Sequence, residues 1–388
     1  MDQHDGADSV ARARDLGDAI TDASDAVEET RRIPAPLLAR LHESRLFRML
    51  SPLSVGGDEV APGVCLLAIE EVARHDASVA WNVFIANAAA LIAPYLEPET
   101  ARAVFGDPRA LVAWGPPNGT KATAVPGGYR VDGTWAFASG CRNATWMGAH
   151  CEIVEADGSL RRSAAGRPLM RTFLFPAENA ALHDTWDTTG LRGTGSDSYT
   201  VTDLFVAEAF TGMRADPTLR RESGPLYAFT MQSLYAMGVA GVALGIAQAM
   251  LEAFVELATR KTPLGLSAMV DSGTVQAGVA RNQAKLGAAR AYLLETLGDI
   301  HAHAGATAPI DVTDRARVRL ASVHAIGAAV AVVDHVHKAA GMDAVFPGTP
   351  FERRFRDMHT LSQQIQSRDS HYESVGKVLL GVPPALFL

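Results

Sequence analysis

The sequence predicts a mainly helical protein with an inserted antiparallel β domain. Three observations lead there. Apolar residues recur at spacings of three and four over residues 9–107. Segments between 109 and 215 alternate, or run β-branched and aromatic. Long helical patterns then return over 226–260, 272–302, 312–340 and 353–380. The domains are accordingly placed at 1–108 (N-terminal helical), 109–215 (middle β) and 216–388 (C-terminal four-helix bundle).

Each element has its own signal. LLARLHESRLFRML (37–50) repeats apolar residues with a helical period, and Ile33-Pro34 starts it. SPLSVGGDEV (51–60) is a Gly-rich break. The run 64–96 reads as two helices with a polar junction at His75–Ser78, and Glu97-Pro98 and Asp107-Pro108 punctuate the end of the domain. ALVAW (110–114), GYRVDGTWAFAS (128–139), GAHCEIVEADGSL (148–160), RTFLFP (171–176) and SYTVTDLFV (198–206) read as strands. Pro126-Gly127-Gly128 and Asp157-Gly158 mark hairpins. The four late helices, joined by short Gly/Pro connections, favour an up-and-down bundle.

Composition narrows the function classes. The 388 residues are 48% hydrophobic, ample for a buried core, and the net charge of −8 with scattered signs is a poor match for nucleic acid. Cys65, Cys141 and Cys151 have neither zinc-ligand spacing nor disulfide density, so they read as reduced, buried side chains. The acidic N-terminus lacks the apolar run of a signal peptide, and the expected location is cytoplasmic. AMGVAGVALGIAQAM (236–250) is shorter than the roughly 20 residues that span a bilayer. It reads as a core helix whose small residues suit close packing, and no membrane partner is expected.

The most informative stretch is RRFRDMHTLSQQIQSRD (353–369), followed by SHYESVGKVLLG (370–381). As one helix it puts Met358, Leu361 and Ile365 on an apolar stripe and Thr360, Gln364, Arg368 and His371 on a polar one. No Asp or Glu lies between Asp357 and Asp369. His359 and His371 are acid–base candidates because imidazole titrates near the working pH. Arg353, Arg354 and Arg356 with Asp357 read as a structural ion-pair cluster. His301, His303, His324, His335 and His337 lack the spacing of a ligand set, and no metal is expected.

Four segments, in order and over nearly the whole chain, resemble the acyl-CoA dehydrogenase superfamily: 32–60, GYRVDGTWAFASG (128–140), TGLRGTGSDSYTVTDLFV (189–206), and the block from Gly341 to Asp357. DASVAWN (76–82) and WAFASG (135–140) look like the flavin-dependent monooxygenases built on that fold. RRFRDMHTLSQQIQSR is most similar to the subgroup containing bacterial indole and indole-acetate oxygenases. The resemblance implies FAD used as FADH2 (FMN being the alternative), a separate flavin reductase, molecular oxygen, a flavin C4a-hydroperoxide, a small aromatic substrate and a homotetramer. The alternative, an acyl-CoA dehydrogenase, needs a carboxylate base; that region has none, and only Glu252 or Glu256 from another helix could be invoked.

Residue roles follow from the same resemblance. The strand carrying Trp135, Phe137 and Ser139 would run beside the isoalloxazine, with Ser139 near flavin N5. Trp114 and Asn118 would line the flavin from an earlier loop, and Thr194 would bind it from the Gly-rich loop GLRGTGS, which also carries Ser196 and lets backbone approach a ligand closely. Arg260 would pair with the FAD pyrophosphate across a subunit interface. Gln364 stands where many relatives place a phenol-activating histidine. A neutral amide orients rather than deprotonates, which favours a ring that is already nucleophilic, such as an indole. The catalytic candidates are therefore Gln364, His359, His371 and Ser139.

Overall fold

The computed structural model describes residues 6–163, 166–214, 216–306 and 308–384. The N-terminal unit comprises α1 (Gly6–Asp15), α2 (Gly17–Thr30), α3 (Ala35–Glu43), α4 (Pro62–His75), α5 (Ala77–Ala90) and α6 (Pro98–Phe105). The polar junction foreseen at His75–Ser78 is the α4–α5 boundary. There Asp76 caps α5, its carboxylate accepting the Val79 N–H at 2.8 Å.

Strands β1 (Val112–Trp114), β2 (Lys121–Val125), β3 (Gly128–Ala138), β4 (Trp146–Val154), β5 (Met170–Pro176), β6 (Ala181–His183), β7 (Asp197–Ala207) and β8 (Thr211–Gly212) form one sheet. Its order is β6-β7-β3-β2-β4-β5-β8, with β1 also beside β4. Pro126-Gly127 closes the β2–β3 hairpin as expected, with Val125 opposite Gly128 and Gly127 at φ 79°. The all-antiparallel expectation is corrected, because β1 and β2 both run parallel to β4. The chain leaves β4 after Trp114 and rejoins it at Lys121 in the same direction, with no reversal between. The Asn118 amide clasps this connection by donating to Thr134 O at 2.8 Å.

The C-terminal unit begins with α7 (Met231–Arg260), α8 (Gly273–His303) and α9 (Val312–Ala340). The small residues of α7 act as anticipated. A side chain at Gly238 would strike Phe84 of α5, one at Gly241 would crowd Leu66 and Ile69, and one at Gly245 would meet Ala73 of α4. The helix expected at 353–380 is instead broken into α10 (Glu352–Leu361), a short 3₁₀ turn (Ile365–Ser367) and α11 (Ser370–Leu379). Met358 and Leu361 are buried, but Ile365 is exposed and off the apolar stripe. The length argument against membrane spans also needs correction. Ala77–Tyr95, Met231–Arg260 and Val312–Ala344 are long and apolar enough to cross a bilayer, but their most apolar windows are 94, 89 and 67% buried inside the protein.

Candidate active site

The site grows from a defect in β3. Trp135 pairs with Tyr199 and Ala138 with Asp197, so three steps on β3 oppose two on β7. That extra residue is a β-bulge, which re-aims side chains. Phe137 absorbs it at φ 61°, a left-handed conformation costly for a bulky residue, at about 1–3 kcal/mol. The alternation expected along Trp135, Phe137 and Ser139 therefore breaks. Phe137 is 63% exposed, while Trp135 is fully buried and stacked on Tyr199. Trp135 is thus a core residue of the β domain and not a flavin contact.

Trp186 stands edge-on to Phe137, with ring centroids 6.2 Å apart. Its indole N–H donates to Leu191 O at 2.9 Å. The buried Asp197 carboxylate takes the N–H groups of Thr185 (3.0 Å) and Trp186 (2.9 Å) on one oxygen and the Arg142 guanidinium (2.5 Å) on the other. A charged clamp thereby holds an aromatic corner at the surface.

Two residues beyond Phe137, Ser139 opens a chain of hydroxyls. Trp81 Nε1–H donates to Ser139 Oγ at 3.1 Å. Ser139 and Ser196 are 2.7 Å apart, as are Ser196 and Thr194, and Thr194 Oγ1 lies 2.8 Å from Leu191 O. Both ends are fixed, since an indole N–H only donates and a carbonyl only accepts. Thr194 must give its proton to Leu191 O, so Ser196 gives its own to Thr194, and Ser139 gives its own to Ser196. Ser139 Oγ is left with one lone pair and no proton to offer. It is an acceptor only.

Beside Ser139, a small cleft is lined by Ile33, Leu38, Phe47, Asn82, Ile85 and Leu111 among others. Asn82 donates from Nδ2 to Gly193 O at 3.2 Å, while its buried Oδ1 has no partner among the described residues. Glycines at 190 and 193 let the loop of Thr194 lie against its neighbours. A side chain at Gly193 would meet Ser78 at 2.9 Å, and one at Gly190 would meet the backbone of Arg356 and Asp357.

The C-terminal candidates are placed differently from the sequence expectation. Gln364 is extended, not helical, and its side-chain oxygen accepts the Gln366 N–H at 2.6 Å. The polar stripe of Thr360, Gln364, Arg368 and His371 therefore does not exist as one helical face. Thr360 meets Thr189 at 3.5 Å, and Arg368 is exposed. His371 is buried and donates from Nε2 to Ile365 O at 2.7 Å; burial, then Arg319, lowers its pKa. It closes the turn as a neutral ring. His359 is part-exposed, 2.9 Å from Asp334 and packed on Phe355.

The arginine cluster is structural, as read. Arg353 and Arg356 pair with Glu28 of α2, and Asp357 accepts the Leu191 N–H at 2.6 Å. Trp114 is half-buried between His150 (5.1 Å) and the Arg214 guanidinium (4.7 Å). Arg260 ends α7, largely exposed and paired with Glu256 at 3.0 Å. Glu252 is bound to Arg74 at 2.8 Å. Neither carboxylate suggested as a base is free, since both sit in surface ion pairs.

Comparison with known proteins resolves the family. The acyl-CoA dehydrogenase C-terminal domain family matches residues 237–368. The indole-3-acetate monooxygenase of Pseudomonas putida is 30% identical over 345 residues, 87% of this chain and 85% of the relative. The chain belongs to the flavin-dependent monooxygenases. A second relative, the flavin-dependent monooxygenase oxygenase subunit HsaA of Rhodococcus jostii, is 28% identical over 347 residues, covering 86% of this chain and 87% of its own. Among solved structures, XiaF from Streptomyces sp. in complex with FADH2 and glycerol superposes with a TM-score of 0.87. It is 25% identical and covers 98% of this chain and 97% of its own.

The residues of this monooxygenase fit a flavin. Phe137 offers an exposed flat face, held outward by the bulge, and Ser139 offers a hydroxyl of fixed polarity beside it. Sequence reasoning missed Trp81, Trp186, Asn82 and Arg214. Trp81 and Asn82 did lie inside the quoted DASVAWN segment, but their partners are 58 and 111 residues away in sequence.

Proposed function

We propose that this chain is the oxygenase component of a two-component system. It takes FADH2 from a separate reductase and, with molecular oxygen, hydroxylates an aromatic heterocycle, most simply an indole. FMN is the alternative flavin. Reduced flavin, when bound, supplies two electrons to dioxygen, one oxygen atom going to the ring and the other to water.

The observation that carries this reading is the polarity of Ser139. Reduced flavin has an N–H at N5 and oxidised flavin has a bare nitrogen there. An acceptor-only hydroxyl suits the first and offers nothing to the second. The rest of the site agrees. The Gln364 amide oxygen is committed to Gln366, and no carboxylate base stands in this segment, so a ring needing no deprotonation fits best. The apolar walls of Ile33, Leu38, Phe47, Ile85 and Leu111 keep water from the reacting atoms.

The test is anaerobic titration of the protein with FADH2 and, separately, with FAD. Tighter binding of FADH2 is expected; equal or tighter binding of FAD would sink the reading. A cytoplasmic homotetramer belongs to the same proposal. Exposed apolar side chains on the helical unit, Leu264, Leu266, Met342, Phe346, Leu379 and Leu380, support further burial between subunits. Sedimentation at working concentration checks it, and a monomer would refute it.

A further inference from the structure

Arg214 lies two residues beyond the end of β8 and has no carboxylate within ion-pair distance among the described residues. The one hydrogen-bond acceptor it meets there is a thioether, Met231 Sδ at 2.6 Å. Its guanidinium carbon lies 4.7 Å from the centre of the Trp114 ring, and its charge is felt by Tyr235, Tyr95 and His150. Burial lowers its pKa to about 10. A cation over an indole face gains some attraction, but that leaves most of a five-donor fork without an oxygen to bind. Charges drawn out of water are normally paired, and this half-buried one has no carboxylate partner among the described residues.

The surroundings tie Arg214 to the reaction site. Tyr235 packs edge-on to Phe84 at 4.7 Å, Phe84 packs on Trp81 at 5.5 Å, and Trp81 donates to Ser139. On the other side, Gly115 follows Trp114, and a side chain there would strike the backbone of Ala136, one residue before Phe137, and lie 2.8 Å from Trp135. A run of packed aromatic rings thus links the surroundings of the guanidinium to Ser139. His150, on the far side of Trp114, bonds to Thr172, and burial and Arg214 keep it neutral, so it is no counter-ion.

We propose that Arg214 is the specificity-determining residue for the substrate's side chain, pairing with a carboxylate carried on the aromatic ring. The forked guanidinium matches a carboxylate with two parallel N–H···O bonds. This rests on the aromatic-hydroxylation reading and narrows it, since the preferred substrate is an aryl or indolyl carboxylate rather than a neutral indole.

The experiment compares indole-3-acetate with its neutral isostere indole-3-acetamide. Binding to the flavin-free full-length protein is measured by calorimetry, and kcat/KM with reductase-supplied FADH2. The wild type should bind the acid about 10- to 100-fold more tightly than the amide, the range for hydrogen bonds to a charged group. In Arg214→Gln that ratio should collapse towards one, and Arg214→Lys, which keeps the charge, should restore part of it. No acid preference in the wild type overturns the proposal, as does a preference that survives in Arg214→Gln. Should Arg214→Gln not fold, the wild-type ratio and Arg214→Lys still decide. Hydroxylation of both compounds without preference leaves the aromatic-hydroxylation reading standing and removes Arg214 from it. Arg214-dependent binding of the acid without hydroxylation of either supports the carboxylate site and defeats that reading instead.

Discussion

Substituting Ser196 by alanine should shift the flavin preference towards FAD by acting through Ser139. Ser196 lies 2.7 Å from Ser139 and 2.7 Å from Thr194, and it takes the only proton Ser139 has to give. With Ser196→Ala, Thr194 keeps its bond to Leu191 O, Trp81 still donates to Ser139, and the Ser139 proton is released. Ser139 then becomes a donor, suited to the bare N5 of oxidised flavin. One hydrogen bond to a buried polar group made or lost is worth about 1–3 kcal/mol, so the ratio of FAD to FADH2 dissociation constants should fall about 5- to 100-fold. Anaerobic titrations of parent and variant measure it, with circular dichroism reporting folding. A folded Ser196→Ala protein with the parental ratio would refute the directed hydroxyl chain.

Three further outcomes follow from the structure. Burial first, and then the nearby Asp76, raises the Asp357 pKa to about 7. The native state therefore holds a proton that the unfolded chain releases near pH 4, and stability from this group declines as pH rises from about 4 to about 7. Asp357→Asn keeps the acceptor for Leu191 N–H and should flatten that decline in urea unfolding; an unchanged slope would contradict the assignment. Gly190→Ala would drive a methyl into the backbone at Arg356, costing about 1–3 kcal/mol and loosening the Thr194 loop; a wild-type unfolding midpoint would show that the loop does not pack on α10. Gln364→Ala should lose a cap bond worth about 0.5–2 kcal/mol while leaving the pH–rate profile in place, and the appearance or loss of an ionisation would return Gln364 to the chemistry.

The order of helical unit, sheet and helical unit was legible because hydrophobic period survives in a single sequence. Asp76 as a junction, Pro126-Gly127 as a hairpin and the glycines of α7 as contact points are local chemistry, and each acted as read. What escaped is non-local. The break after Leu361 arises where His371 folds back on Ile365 O and Gln364 caps its own turn, and a helical wheel cannot show that. The bulge at Phe137 depends on the register with β7, so alternation placed Trp135 and Ser139 on one face when one is core and the other is at the site. Arg214 has no motif at all; its interest comes from the absence of a carboxylate around it among the described residues.

The most direct measurement is a turnover under ¹⁸O₂ with purified protein, a flavin reductase, NADH, FAD and indole-3-acetate, followed by mass spectrometry. The expected product carries one ¹⁸O atom on the ring and forms only when the reductase is present. Unlabelled product, or bleaching of bound oxidised flavin by an acyl-CoA with no oxygenated product, would contradict reduced-flavin-dependent aromatic hydroxylation.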